Sequence, residues 1–155
     1  MTLHERWMQS ALKEAVRAFD KNEVPVGAIV VHNNIIIAKG HNQIEMMNDP
    51  TAHAEMVALT AAAAHLENKF LKDSILYVTM EPCPMCAGAI VLSRIPTIVF
   101  GCYDPKMGAC GSVMNITENK KLNHRMHVVG GVLDAECGGI VKEFFEKKRK
   151  KVITS

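Results

Sequence analysis

A chain of 155 residues, 48% hydrophobic and 22% charged, is long enough for one domain with its own core and too short for two comfortable ones. That composition excludes a disordered polymer; no apolar run is long enough to cross a bilayer, and the opening Met-Thr-Leu-His-Glu-Arg is not expected to act as a secretory signal. The net charge of +2 names no partner by itself, but it is unevenly placed: residues 142–151 hold six basic and two acidic side chains, a basic end on a slightly acidic body.

In chain order, Leu3, Trp7, Met8, Ala11, Leu12, Ala15 and Phe19 recur at helical spacing with charged residues between them, which predicts an amphipathic first helix. Residues 24–31 and 35–39 are β-branched runs around His32-Asn33-Asn34 and read as a hairpin. Asp49-Pro50-Thr51 reads as a turn and cap, followed by an Ala-rich helix over 52–65. A buried strand is predicted over 75–80, and Pro84 suits the first turn of a helix running to about residue 94. Further elements are a strand over 95–101, a Gly-bearing loop to residue 111, a strand over 126–132 and a final helix over 134–150. Gly138-Gly139 weakens that helix by about 1 kcal/mol per glycine. The hairpin supplies an antiparallel pair and the later strand–helix–strand unit a parallel crossover. The expected fold is α/β: a three-layer α/β/α domain spanning 1–155, with a central mixed five-stranded sheet and a basic C-terminal helix or tail over 134–155.

Two short segments carry the chemistry. His53-Ala54-Glu55 and Pro82-Cys83-Pro84-Met85-Cys86 bring together one imidazole, one carboxylate and two thiols. His53, Cys83 and Cys86 are three ligands for zinc, and a zinc with three protein ligands keeps one position for water. Both segments sit at predicted helix starts, where the helix dipole favours ionised thiols. Cys83 and Cys86, at i and i+3, share a face. Glu55 is left over as the base beside that water. A structural zinc would want a fourth Cys or His at matched spacing, and none stands near; His65, deep in the second helix, reads as a surface residue. Five cysteines, an odd number with one CxxC, suit a reducing cytosol better than a disulfide scaffold.

The H-x-E and P-C-x-x-C pattern resembles that of zinc nucleobase deaminases. Over nearly its whole length the chain is similar to the bacterial tRNA-specific adenosine deaminases of the cytidine-deaminase-like superfamily. The residues that carry the likeness are 23–28, His41-Asn42, 49–55, 81–89, 93–95, 104–106, 111–115, Asn123-His124-Arg125 and Phe144-Phe145. The resemblance implies hydrolytic conversion of adenosine to inosine at the wobble position of a tRNA anticodon stem-loop, with one zinc per subunit, in a cytoplasmic homodimer and without a membrane. It also implies that Glu55 is catalytic, that Asn42 bonds the flipped nucleoside, and that Val26 and Ala54 line its pocket. Asp104, Lys106, Asn123, Phe145 and Arg149 would hold neighbouring nucleotides.

Each contact has a plainer reading. Asn42 and Asp104-Pro105 are turn chemistry, Asn123 is a loop cap, and the Lys-rich run is a solvated helix end. Of the adjacent Phe144 and Phe145, one belongs in the core and one outside, where it suits base stacking. The zinc motif sets the reaction and leaves the substrate open. A deaminase of a free base, of guanine or cytosine type, shares Pro84 and the Asp49–Glu55 pattern. A non-enzymatic zinc-stabilised RNA-binding protein would leave Glu55 without a role.

Overall fold

The computed structural model of this protein describes residues 1–154. Helix α1 (Leu3–Asp20) begins at a capping box: the Thr2 hydroxyl accepts from the Glu5 N–H and the Glu5 carboxylate accepts from the Thr2 N–H. It buries Met8, Ala11, Ala15 and Ala18, whereas Leu3 points to solvent. Strands β1 (Gly27–His32) and β2 (Ile35–His41) form the hairpin. Its two-residue turn puts Asn33 and Asn34 at φ of 50° and 62°, the left-handed conformation that Asn tolerates and a tight hairpin requires. The strand begins at Gly27 rather than Val24.

A short helix absent from the sequence expectation, α2 (Ile44–Met47), follows β2. It forms because the buried carboxylate of Glu23 accepts from the N–H groups of Glu45 and Met46, each at 2.9 Å. Helix α3 (Ala54–Leu66) comes next, then β3 (Ser74–Met80), α4 (Pro84–Leu92) and β4 (Thr97–Cys102). Strand β5 spans only His127–Val129, shorter than expected, and α5 spans Asp134–Thr154. The glycines do not break α5. An added Cβ at Gly139 would meet nothing, and at Gly138 only an ordinary contact with Cys102.

The five strands lie in the order β2-β1-β3-β4-β5, antiparallel in the first three and parallel from β3 to β5. Successive strand side chains face opposite layers. Ala28, Val30, Leu76, Val78 and Ile98 pack with Ala54, Ala58 and Ile90 under α3 and α4. Ile29, Val31, Tyr77 and Val99 pack with Met8, Ala11 and Cys137 under α1 and α5. This is the expected three-layer mixed-sheet architecture.

Two glycines let helices approach the sheet closely. A Cβ at Gly27 would fall 2.1 Å from the Ala11 carbonyl oxygen on α1, and one at Gly40 would fall 2.5 Å from the Ala54 carbonyl oxygen on α3. Gly40 thereby sets the first turn of α3 directly over the end of β2. Strands β2, β3 and β4 end on the same side of the sheet, so α3 and α4 both start there.

Candidate active site

His53 is the N-cap of α3 and Cys83 the N-cap of α4, both with extended backbone. The helix therefore starts at Ala54, two residues later than expected. His53 stands just off the helix end while Glu55 lies within its first turn, and that is how residues two apart face one point. Thr51 does not cap α3: Asp49 Oδ1 holds it in a local turn through its N–H at 2.8 Å and its hydroxyl at 2.7 Å. The α3 terminus is capped instead from just beyond β2, where the buried Asn42 accepts from the Ala54 N–H at 2.8 Å through Oδ1. That bond commits the Asn42 oxygen and leaves its NH2 to the cavity it lines.

The donor atoms of His53, Cys83 and Cys86 lie within 4.8 Å of one another. His53 Nδ1 is 3.6 Å from Cys83 Sγ and 3.5 Å from Cys86 Sγ. A tetrahedral zinc with ordinary Zn–S and Zn–N bonds would hold such a nitrogen and sulfur about 3.6 Å apart. The three residues therefore fit zinc in chemistry and in spacing. The Pro50 carbonyl also bonds the imidazole, a contact that helps fix the ring's orientation. A hydrogen bond from Cys86, against the opposing effect of burial, holds the Cys83 thiol down to about 4, in the thiolate form a metal needs.

Glu55 is buried, and burial pushes its carboxyl up to about 7. A carboxyl tuned to neutrality can take a proton and return it. It faces a cavity of about 410 Å³, within the range of small-ligand pockets. Val26, Asn42, Asp104, Lys106 and Phe145 line that cavity beside His53, Glu55 and Cys83. Asp104 serves both of its readings at once. Its Oδ1 accepts from the N–H groups of Lys106 and Met107 at 3.0 and 3.2 Å, a local turn, while the residue lines the cavity.

The remaining expectations are placed differently. Ala54 is fully buried and meets Asn42 through its N–H. Arg149 lines an adjoining cavity of about 560 Å³, bounded also by Lys106 and Phe145. Asn123 lies with Lys120, His124 and Arg125 in a cavity of about 600 Å³ that shares no lining residue with the catalytic one. His124 bonds the Ile95 carbonyl there, at the opposite ends of the parallel strands. Phe144 is buried and Phe145 is 42% exposed, as the helical spacing requires.

Glu81 belongs to the segment that carries the family likeness, but the sequence assigns it no role. It is 3% exposed, directly follows β3 and precedes the Pro82-Cys83 ligand turn. Its Oε1 accepts from the Asp104 N–H at 3.1 Å and from the Ser112 hydroxyl. Its Oε2 accepts from the N–H groups of Cys110 and Ser112, each at 3.1 Å. Gly108 closes over the carboxylate so tightly that a Cβ would fall 2.4 Å from its carbon. Burial raises the Glu81 pKa, but these four hydrogen bonds outweigh it and hold the carboxyl below the usual range. One carboxylate thus ties the loop carrying Asp104, Lys106 and Met107 to the metal-binding turn. The signal was an acidic residue at the end of an apolar strand; its partners, 23 to 31 residues away, leave no local trace.

Residues 2–149 match the model of the MafB19-like deaminase family. The tRNA-specific adenosine deaminase of Bacillus subtilis (strain 168) is 49% identical over 97% of this chain and 94% of its own. That of Aquifex aeolicus (strain VF5) is 48% identical over 96% of this chain and 98% of its own. Among solved structures, a chain from work on A-to-I editing by tRNA:A34 deaminases at the wobble position superimposes with a TM-score of 0.84. It is 38% identical, over 87% of this chain and 98% of that one. A guanine deaminase from Bacillus subtilis is also 38% identical, but over 66% of each chain and with a TM-score of 0.63.

Proposed function

This chain belongs to the tRNA-specific adenosine deaminases, and from that membership we propose that the cavity around His53, Glu55, Cys83 and Cys86 deaminates adenosine to inosine at the tRNA wobble position. The observation that carries the reading is the His53–Cys83–Cys86 triangle set at zinc spacing beside a buried Glu55 in one cavity.

His53, Cys83 and Cys86 would hold one zinc per subunit. Bound there, the zinc would supply a water acidified toward a pKa of ~7. Glu55, buried beside that position, is the group that would take a proton from the attacking water and deliver protons to the purine ring and to the departing amine. In balance, a C–O bond forms at C6, the C6–N bond breaks, and adenosine and water become inosine and ammonia. The Asn42 NH2 is free to bond an acceptor of the flipped nucleoside, because its oxygen is already spent on the α3 terminus. Val26 supplies apolar wall, and buried Ala54 holds Asn42 in place from beneath. Asp104, Lys106 and Phe145 line the mouth toward flanking nucleotides, and Arg149 continues it along α5. Asn123 stands apart from this cavity, so we assign it a separate contact with the RNA.

We read residues 1–155 as one catalytic domain that acts as a cytoplasmic homodimer. No helix among the described residues is long and apolar enough to cross a membrane. Sedimentation of the purified protein tests the dimer.

The decisive experiment incubates zinc-loaded protein with an anticodon stem-loop bearing a wobble adenosine and, separately, with guanine, cytosine and adenosine. Inosine in the RNA together with ammonia release is expected. Ammonia from guanine alone would transfer the assignment to a free-base deaminase, the reading for which the shorter match to a guanine deaminase speaks.

A further inference from the structure

Past the catalytic cavity, the surface of α5 carries two more cavities in series. The catalytic cavity shares Lys106 and Phe145 with the one lined by Arg149. That cavity in turn shares Lys148 with a trough of about 250 Å³ between the C-terminal ends of α1 and α5. The trough is lined by Phe19 and Asn22 from the end of α1 and by Phe144, Lys147, Lys148 and Lys151 from α5.

Its chemistry is uniform. Three aromatic rings run edge to face from α1 toward the catalytic mouth, Phe19 to Phe144 at 5.9 Å and Phe144 to Phe145 at 5.3 Å. Two ammonium groups stand over these rings, Lys147 over Phe19 at 5.0 Å and Lys148 over Phe144 at 5.9 Å. The cations are therefore held at the rim instead of swinging free. Lys147 also pairs with Glu143 at 3.3 Å, but both partners are more than half exposed, and such a pair is worth at most about 1 kcal/mol. A phosphate can replace that carboxylate at little cost. Phe144 is buried, and it and Phe19 each carry a lysine over the ring, so these two rings position cations for phosphates, while the exposed Phe145 is the ring open to a base.

We propose that the α1–α5 trough, with Phe19 and Asn22 at its base and Lys147 and Lys148 at its rim, binds the RNA strand beyond the nucleotides that flank the target adenosine. The ligand class is a ribonucleotide segment, and the assignment rests on the tRNA reading above. From Phe145 to Val152 the track extends about 10 Å along the helix, so it adds a length of strand rather than a single contact. It also gives α1, otherwise a packing helix, a part in recognition.

The test measures anisotropy of a labelled anticodon stem-loop with the zinc-loaded protein, alongside deamination of the same RNA. Lys147→Ala/Lys148→Ala is compared with Arg6→Ala/Lys13→Ala, which removes the same charge from exposed positions on α1 outside every cavity described above. For the first pair, Kd should rise about tenfold at 0.1 M salt, and the slope of log K against log salt should fall by about 1.4, two phosphates' worth on a single strand. The kinetic loss should fall mainly on KM. Phe19→Leu, which keeps apolar bulk but removes the ring, should weaken binding severalfold. The Arg6/Lys13 pair should bind as the wild type does. Wild-type Kd and slope in the Lys147/Lys148 variant would assign the trough to another occupant, such as a protein helix, and overturn the proposal. Equal losses in both pairs would overturn it too, by showing bulk charge alone. If the wild-type protein turns over the stem-loop while the slope does not move, only the trough falls; if it turns over no RNA, the substrate reading falls and the trough with it.

Discussion

Replacing Glu81 by Gln should cost about 3–5 kcal/mol of stability and most of the activity, although Glu81 itself lies behind the catalytic groups. The carboxylate accepts four hydrogen bonds, two at each oxygen. Gln keeps one acceptor oxygen. Its NH2 would take the Oε1 side, where the Ser112 hydroxyl can turn to accept but the Asp104 N–H cannot, so one buried donor loses its partner and the remaining bonds lose their charged acceptor. Each such bond contributes roughly 1.5–3 kcal/mol. The loss is a large share of a total stability of about 5–15 kcal/mol. Urea unfolding of wild type and Glu81→Gln at pH 7 measures it directly, and kcat/KM on the stem-loop reports how far the loop carrying Asp104 and Lys106 has moved. The pH dependence has a defined sign. The folded pKa of Glu81 lies below its ordinary value near 4.5, so its contribution is present above pH 4.5 and is lost as pH falls through the folded pKa. The difference between the two proteins should therefore narrow in acid. A loss under 1 kcal/mol with kcat/KM intact would refute the view that this carboxylate organises the site.

Glu55→Gln should lower kcat by about 10²–10⁴ while metal analysis still finds zinc, since Glu55 moves protons and the metal is held by others. Cys83→Ser, or treatment of the wild type with a chelator, should abolish activity; only the chelated wild type should regain it when zinc is returned. Asn42→Asp keeps the oxygen that caps α3 and removes the NH2, so stability should change by less than the ~1 kcal/mol lost in Asn42→Ala, while both variants lose affinity for the stem-loop. Thermal melts together with KM separate the two roles of Asn42.

The zinc ligands and Glu55 were legible in the sequence because their spacing is local: each segment is a few residues long and opens a helix. The layers were legible too, since alternation along the strands and the 3.6-residue period of α1 reflect which faces are buried. The same periodicity divided Phe144 from Phe145. The helix α2, the cap on α3 and the role of Glu81 were not legible. Each depends on a side chain meeting a backbone group 12 to 31 residues away. The strand order β2-β1-β3-β4-β5 decides those meetings, and no local pattern encodes it. It puts Asn42, His53 and Cys83 at one end of the sheet and Asn123 at the other. The sequence by itself thus determined the elements and the metal-binding chemistry, through short-range periodicity and spacing. Only the tertiary structure decided which polar groups are committed to holding the site together and which remain free to meet the substrate, because a buried donor or acceptor must find its partner wherever the fold places one.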